Sequence, residues 1–374
     1  CDNVVAKGLV MEPYDIHKKT ADPPQVKTKP PGFELFDECA VGIALLPGRI
    51  HAVVMDRSGR VREERSRTIT SDSDKVVTTI NKLGEELVQS AEPYGAIRGI
   101  GLSIDGRVTR QRTCVLEALD WDHFPLLQHI TVDARLPLSI ITNLEGLATY
   151  EIAYGVGRRM DDFLVAQIAE KVAFVEVEGG RLITDPTGKY QRVLHLPIAG
   201  SNGVCSLGHV GCASGALIPS AVLARARGAR LDEGKDARPR DIEELITMAR
   251  TGDFVCRRVV MEFARNLAVF LQGLSYITQK EHIVLDGSGV RILASDWAVL
   301  FEDELFSFSS NGVVAPTVVH RSNADSRWAC GAAAHLFATV GGPRNLRVIN
   351  RNGDIQGTEV VHHQREHYAS LVAL

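Results

Sequence analysis

The chain has 374 residues, a formal net charge of -4, and 45% hydrophobic and 24% charged residues. That length favours two lobes or domains over one compact core, and the slightly acidic balance excludes a general electrostatic attraction to nucleic acid. No apolar run reaches the roughly 18 residues that a membrane span requires. Seven mostly scattered cysteines favour a reducing compartment over a disulfide framework. We therefore expect a soluble, cytoplasmic globular protein.

The first 36 residues differ in composition from the rest of the chain. They begin without Met and contain five prolines between Pro13 and Pro31, with lysines interspersed. Such a stretch buries little apolar surface and is typical of a linker or extended arm. We expect residues 1–36 to be an N-terminal arm or the remnant of a preceding domain, and residues 346–374 to be a C-terminal tail.

From Cys39 onward the hydrophobic pattern predicts two successive cycles of strands and helices. The first cycle has a hairpin over 39–61, a helix over 73–90 with Ser73 or Asp74 as N-cap, and strands over 97–104 and 138–142. The second begins at Phe163 with a further hairpin, continues through helices near 216–228, 239–250 and 252–276, and ends in a strand over 282–285. This duplication predicts an α/β protein with lobes over 37–155 and 156–345, separated by a cleft, whose last helix could return to the first lobe.

An irregular insert over 184–215 carries the most specific motif. It reads His195-Leu-Pro-Ile and then Cys205-Ser-Leu-Gly208-His-Val-Gly211-Cys212. This resembles the signature of the ROK family (repressors, open reading frames and kinases), in which a Gly-His is followed by C-x-C-G-x-x-G-C-x-E. The segments 137–143, 283–289 (IVLDGSG) and 331–334 resemble other parts of the same family. The resemblance covers residues 38 to 340 and implies an actin-like, ribonuclease H-like fold of two lobes with a sugar site in the central cleft.

Three positions that the family uses for phosphoryl transfer are altered. Its D-x-G-G-T hairpin aligns with a segment that has Ala44 in place of the Asp, and its Gly-Thr-Gly turn in the second lobe aligns with 169–171, where Glu170 would repel a phosphate. Its catalytic Asp aligns with Leu144. Phosphoryl transfer from ATP needs a proton acceptor and close backbone approach to the phosphates. These three separate losses predict that the chain has no sugar kinase activity.

The resemblance also implies a structural zinc ion held by one His and three Cys. His195, Cys205 and Cys212 match this set, but Leu207 stands in place of the middle Cys. His209 could substitute, although its register differs by two residues; the alternative is a metal-free loop with the cysteines as small buried side chains. Because three ligands bind more weakly than four, we expect zinc to be absent or substoichiometric, and we expect no other cofactor.

The family's sugar-binding positions are partly rewritten. They correspond to Asn143, Leu144, Arg192, His195 and Ser214, and the strand end at Asp105 and Gly106 adds two further candidates for ligand binding. Arg192 and Ser214 replace glutamates that accept hydrogen bonds from sugar hydroxyls. One reading is neutral drift in an unused pocket. The other is a changed ligand, such as a sugar phosphate or sugar acid, which a guanidinium binds with two hydrogen bonds.

The segment Val4–Glu12 resembles the end of the winged helix-turn-helix that precedes the kinase-like part of many ROK repressors. No recognition helix is visible before it, so we expect DNA contact only through an upstream N-terminal domain. The leading prediction is a non-catalytic ROK-type transcriptional regulator that binds a small-molecule effector and forms a homodimer. The alternatives are a divergent ATP-dependent carbohydrate kinase and a binding scaffold without DNA contact.

Overall fold

The computed structural model describes residues 38–340, apart from residues 110, 185–192, 235–237, 294–296, 308–313 and 322–325, together with residues 348–350 and 355–356. The predicted arm over residues 1–36, most of the predicted tail and Arg192 lie outside the described residues. None of the described helices is both long and apolar enough to cross a bilayer.

The first part of the described chain forms a five-stranded sheet, a small three-stranded sheet and two helices. The elements are β1 (Glu38–Leu46), β2 (Arg49–Asp56), β3 (Val61–Thr68), α1 (Ser73–Ser90), β4 (Ala96–Ile104), β5 (Arg107–Val108), β6 (Cys114–Leu116), β7 (Trp121–Phe124), β8 (Leu138–Thr142) and α2 (Asn143–Tyr154). The larger sheet has the order β3-β2-β1-β4-β8. Strands β1 to β3 are antiparallel neighbours, whereas β1, β4 and β8 run parallel.

The second part of the described chain forms a seven-stranded sheet and six α-helices. The elements are β9 (Phe163–Ile168), β10 (Val172–Glu178), β11 (Arg181–Thr184), α3 (Ala213–Leu217), α4 (Pro219–Asp232), α5 (Ile242–Arg250), α6 (Phe254–Thr278), β12 (His282–Asp286), α7 (Ala298–Ser307), β13 (Thr317–His320), α8 (Ser326–Thr339), β14 (Val348–Asn350) and β15 (Ile355–Gln356). The order is β13-β12-β9-β10-β11-β14-β15. The two sheets with their helices confirm the α/β class predicted from the sequence.

Helix α1 shows how local sequence sets an element. Its predicted range is confirmed, and the apolar residues at helical spacing are buried: Val76, Ile80, Leu83 and Leu87. The predicted N-cap, Ser73 or Asp74, is wrong by one or two residues, because the carboxylate of Asp72 accepts the backbone N–H groups of Asp74 and Lys75. The hydroxyl of Ser73 instead accepts a hydrogen bond from Trp121 Nε1 at 2.7 Å.

Helices α4, α5 and α6 begin two or three residues later than predicted. The residues at their N-terminal caps and first turns explain where they begin. Pro219 occupies the first turn of α4, where its missing N–H costs nothing. The carboxylates of Asp241 and Asp253 accept backbone N–H groups of α5 and α6. The hydrophobic periodicity identifies the buried faces of these helices, whereas the caps fix their ends.

Helix α8 packs on the first sheet although it follows the second sheet in the chain. A side chain at Gly42 of β1 would overlap the carbonyl of Ala329, and one at Gly101 of β4 would overlap the carbonyl of Ala332. The absence of a Cβ at these two positions therefore allows the helix backbone to approach the sheet closely. A shared apolar core, which includes residues of β1, α2, β9 and α8, lies between the two sheets.

A buried ion network joins α2 to the second part of the chain. Glu151 is fully buried. Its carboxylate accepts two hydrogen bonds from Arg321 at 3.0 and 2.9 Å, and one from Arg327 at 2.6 Å. The backbone N–H of Val156 donates a fourth at 3.1 Å. Because Arg321 follows β13 and Arg327 lies on α8, this single carboxylate joins α2 to two elements that are distant from it in sequence.

Candidate ligand cleft and metal centre

The carboxyl ends of the parallel strands of the first sheet lie side by side. Leu45 of β1 is in register with Ile104 of β4, which is in register with Thr142 of β8. Asp105 and Asn143, the residues directly after β4 and β8, therefore lie at the same edge of the sheet. Ligand sites of open α/β sheets lie outside this edge, so the strand order itself brings these two predicted ligand-binding residues together.

The matching edge of the second sheet meets this edge through an ion pair. Strands β9 and β12 are parallel, and the turn after β9 contains Lys171. Lys171 Nζ lies 2.5 Å from Oδ1 of Asp105. The pair links the end of β4 in the first sheet to the turn of the β9–β10 hairpin in the second. The ion pair thus spans the cleft. A role for Lys171 in it was not predicted from the sequence. Opposite charges directly after β4 and after β9 are the signal in the sequence that could have revealed it.

Asn143 provides an unsatisfied hydrogen-bond acceptor at the cleft edge. Its side chain is buried, and Nδ2 donates to the carbonyl of Leu45 at 3.3 Å. Its Oδ1 is also buried and has no donor among the described residues. The start of α2 is fixed by a reciprocal capping box between Thr142 and Glu145. A buried acceptor without a donor is costly, and a hydroxyl group of a ligand or a water molecule is the chemistry that would satisfy it.

Two of the three positions predicted to align with the family's kinase motifs, Ala44 and Leu144, carry no proton acceptor. Ala44 and Leu144 are both buried in the apolar core between the two sheets. Glu170 is exposed in the β9–β10 turn. The Asp105 carboxylate, which is at the cleft, is engaged by Lys171.

The remaining predicted ligand-binding residues have other partners in the described structure. Ser214 is buried on α3, and its hydroxyl donates to the carbonyl of Leu194 at 2.7 Å. A side chain at Gly106 would overlap the carbonyl of Val115 on β6, so this glycine is explained by packing. His195 lies in the cysteine-containing insert. Asn143 is accordingly the predicted residue whose side chain retains unused hydrogen-bonding capacity at the strand ends.

The insert brings together four potential metal ligands: His195, Cys205, His209 and Cys212. Their donor atoms all lie within 4.8 Å of one another. His195 Nδ1 is 3.1 Å from His209 Nδ1 and 3.9 Å from the sulfur of Cys205. Two imidazoles and two thiols at this separation suit a tetrahedral zinc ion, which binds nitrogen at about 2.0 Å and sulfur at about 2.3 Å. These are the three residues predicted from the sequence together with His209, which was considered there as a substitute for the missing cysteine.

A tight hairpin explains how His209 reaches the site despite its register. The N–H of Cys205 donates to the carbonyl of His209 at 3.0 Å, and the N–H of Gly208 donates to the carbonyl of Cys205 at 2.9 Å. Val204 and Val210 form an antiparallel bridge below the turn. Leu207, at the position of the expected cysteine, is at the tip and 69% exposed. The residue at the tip, Leu207, therefore points away from the other ligands, whereas His209, at the base of the turn, lies beside them.

The environment of Cys205 favours its anionic form, which is the form that binds metal. Burial opposes ionisation, but backbone hydrogen bonds at Leu207 and His209 hold the pKa of Cys205 below its ordinary value. Burial raises the pKa of Cys212. A zinc ion bound here would join His195 to the hairpin between Cys205 and Cys212 and would supply structural rigidity.

Comparison with known proteins places these features in one family. A model of the ROK family matches residues 41–338. A xylose repressor of Caldicellulosiruptor bescii is 24% identical over 71% of this chain and 68% of its own length. A putative xylose repressor of Caldicellulosiruptor sp. is 26% identical over 56% of this chain, and the match spans 53% of that protein. An N-acetylmannosamine kinase of Escherichia coli is 24% identical over 64% of this chain and 79% of its own length.

Solved structures agree on the fold. A ROK family transcriptional regulator, a homologue of the E. coli MLC protein, superposes with a TM-score of 0.68 at 17% identity, covering 81% of this chain and 78% of that one. A ROK hexokinase from Thermus thermophilus superposes with a TM-score of 0.65 at 19% identity, covering 81% of this chain and 100% of that one. These likenesses confirm the predicted actin-like fold. With most of its length matched by the family model, the chain belongs to the ROK family.

Proposed function

We propose that this protein is a ROK-type transcriptional regulator whose kinase-like body binds a sugar or sugar derivative without phosphorylating it. The observation that carries the proposal is the composition of the cleft. Leu144 aligns with the family's catalytic carboxylate, and the ion pair of Lys171 and Asp105 spans the cleft at the turn that aligns with its phosphate-binding turn. The two xylose repressors among the relatives support the same assignment.

Phosphoryl transfer and sugar binding have different chemical requirements, and the residues of this site meet only those of binding. Phosphoryl transfer needs a proton acceptor at the sugar hydroxyl and backbone N–H groups around the phosphates. Leu144 accepts no proton, and phosphates approaching the turn would have to displace Asp105 from Lys171. Recognition of a sugar needs only hydrogen-bonding groups, and the Oδ1 atom of Asn143, which has no donor among the described residues, supplies one. The cleft is therefore better suited to binding than to catalysis.

We further propose that DNA contact is made by a domain N-terminal to the described residues and that the protein acts in the cytoplasm. Effector binding in the cleft would then regulate DNA binding at a distance. Arg192 replaces a sugar-binding glutamate of the family, and a cation there would favour a sugar phosphate or sugar acid over a neutral sugar.

A carbohydrate kinase is the second candidate, favoured by the similarity to N-acetylmannosamine kinases, which extends over 79% of their length. A coupled assay of ATP turnover with xylose, glucose and N-acetylmannosamine separates the two. We expect no sugar-dependent turnover. Turnover that saturates with one sugar and is abolished by Asn143→Ala would establish the kinase instead.

Calorimetric titration tests the effector function directly. Neutral sugars, their phosphates and uronates should include at least one compound that binds saturably, and Asn143→Ala should weaken that binding about tenfold, the equivalent of one hydrogen bond. The exposed residue Asn202 gives a matched control, since Asn202→Ala should leave affinity unchanged. A gel shift with the full-length gene product should respond to the same compound. If no compound binds, the proposed effector function is rejected.

We also propose that His195, Cys205, His209 and Cys212 hold one structural zinc ion. The fit of their donor atoms supports this proposal and revises the expectation of an incomplete site that the sequence suggests. The zinc would stabilise the insert that precedes α3. It would have no direct part in the ligand chemistry of the cleft.

A further inference from the structure

Cys205 and Cys212 differ from the other cysteines that the structure describes. Four of the six described cysteines lie on separate strands and helices: Cys39, Cys114, Cys256 and Cys330. Cys205 and Cys212 lie outside these elements, and their sulfur atoms are within 4.8 Å of each other. A disulfide holds its two sulfur atoms at about 2.0 Å. Rotation of the two side chains about their Cα–Cβ bonds is therefore the movement that would join this pair.

The backbone around the pair is held by hydrogen bonds that involve no metal ion. The N–H of Cys205 donates to the carbonyl of His209 at 3.0 Å, and the N–H of Gly211, which precedes Cys212, donates to the carbonyl of Gly203 at 2.7 Å. These bonds close the hairpin on both sides of its turn. The two cysteines are therefore kept near each other by the chain itself, with or without a bound zinc ion.

The hairpin that carries Cys205 lies at the surface. Its sequence neighbours Val204 and Ser206 are exposed, and so are Leu207 at the tip and His209. Cys205 itself is buried, but it is separated from water only by this short hairpin. A small oxidant can therefore reach its sulfur through a local opening of the turn.

The four other described cysteines are poor competitors for such an oxidant. Burial raises the pKa of each thiol, to about 11 for Cys39 and Cys256 and to about 12 for Cys114 and Cys330. They remain neutral thiols at pH 7, whereas the thiolate is the form that reacts. Oxidation of the described chain should therefore be selective for the pair in the hairpin.

We propose that Cys205 and Cys212 form a redox pair that a peroxide converts to a disulfide. The thiolate sulfur of one cysteine attacks a peroxide oxygen, the O–O bond breaks, and the sulfur becomes a sulfenic acid while a hydroxide leaves. The second thiolate then attacks the sulfenic sulfur, which forms the S–S bond and expels a second hydroxide. The two sulfur atoms lose two electrons in total, and the peroxide takes them up. Solvent protons convert both hydroxides to water.

Oxidation of the pair removes two of the four proposed zinc ligands. His195 and His209 alone are too few for a tetrahedral site, so a zinc ion held there would be released. His195 would then no longer be joined to the hairpin through the metal. The pair thus makes the insert responsive to oxidants. Only this metal release rests on the proposed zinc site, because the disulfide itself needs no more than the two cysteines.

Peptide mapping of the natural chain tests the pair directly. Trypsin cleaves after Arg192 and Arg225, and the peptide between these sites contains Cys205 and Cys212 and no other cysteine. After treatment with a small molar excess of hydrogen peroxide and then an alkylating reagent, this peptide should carry no alkyl group and should be lighter by two hydrogen atoms than the reduced peptide. A reductant should restore alkylation at both positions. Chain stripped of metal with a chelator should give the same peptide.

Zinc release and hydrogen exchange provide independent readouts. A chromogenic chelator should detect one zinc ion for every two thiols lost, and amides over 193–212 should exchange faster after oxidation while those of α1 stay unchanged. Cys212→Ala should form no disulfide and should leave Cys205 as a sulfenic acid that dimedone traps. The matched control Cys330→Ala removes a buried cysteine of α8 and should oxidise like the natural chain.

Several results would overturn the redox pair. Both cysteines of the mapped peptide could stay open to alkylation, could be oxidised separately to sulfinic or sulfonic acids, or could bond to a different cysteine. Zinc that stays bound after both thiols are lost would also contradict it. A natural chain that holds no zinc but forms the disulfide would reject the zinc site and support the pair.

Discussion

Replacement of Glu151 by glutamine tests whether the buried ion network holds the two sheets together. Both carboxylate oxygens of Glu151 accept two donors each: Oε1 accepts from Arg321 and Arg327, and Oε2 accepts from Arg321 and the N–H of Val156. Glutamine preserves the shape of the side chain but replaces one oxygen by an NH₂ group. In either orientation of the amide, that group faces two donors and accepts neither.

The expected cost follows from these contacts. Two hydrogen bonds to a charged group are lost, each worth about 1.5–3 kcal/mol, and two arginines keep their charges beside a neutral side chain. Breaking a buried pair by removing one partner costs about 3–5 kcal/mol. We therefore expect Glu151→Gln to lower the free energy of unfolding by about 3–5 kcal/mol.

Urea denaturation at neutral pH measures this cost, and the chain offers a matched control. Glu243 pairs with Arg291 at 2.7 Å, but both side chains are more than half exposed, so Glu243→Gln should cost about 1 kcal/mol or less. The result that refutes the reasoning is an equal loss for the two variants. It would mean that the Glu151 network contributes no more than a surface ion pair.

Three further predictions concern metal, acid and packing. Elemental analysis should find one zinc ion per chain, and His209→Ala should reduce that content; a metal-free natural chain would contradict the proposed site. Burial lowers the pKa of His335 to about 4 from an ordinary value of 6.5, so its contribution to stability is complete above pH 6.5 and is lost as the pH falls towards 4. The stability difference between the natural chain and His335→Gln should therefore fall by up to about 3 kcal/mol between pH 7 and pH 4, whereas a constant difference would show that His335 does not titrate. Gly101→Ala should destabilise the protein by about 2 kcal/mol or more, because the new methyl group would overlap the backbone of α8. By contrast, Gly228→Ala meets no atom within 4 Å on α4 and should stabilise by up to about 1 kcal/mol; equal effects at the two glycines would contradict the close packing of α8.

The sequence alone determined the class of fold and the family. Helix α1 could be predicted because its buried residues recur at the helical period, a signal that depends on near neighbours only. The Cys/His insert could be recognised because its residues lie within one short segment. The prediction that the kinase positions are altered, with Leu144 at the position of the catalytic Asp, also needed no coordinates.

The tertiary structure decided which of these residues meet. Lys171 and Asp105 are 66 residues apart in the sequence, and they form an ion pair only because the edges of the two sheets lie against each other. Glu151 meets Arg321 and Arg327 across 170 and 176 positions. His209 lies beside the other three candidate metal ligands because a hairpin reverses the chain between it and Cys205. Periodicity and motif spacing report on contacts along the chain, whereas these contacts depend on how separate elements pack, and therefore only the folded chain reveals them.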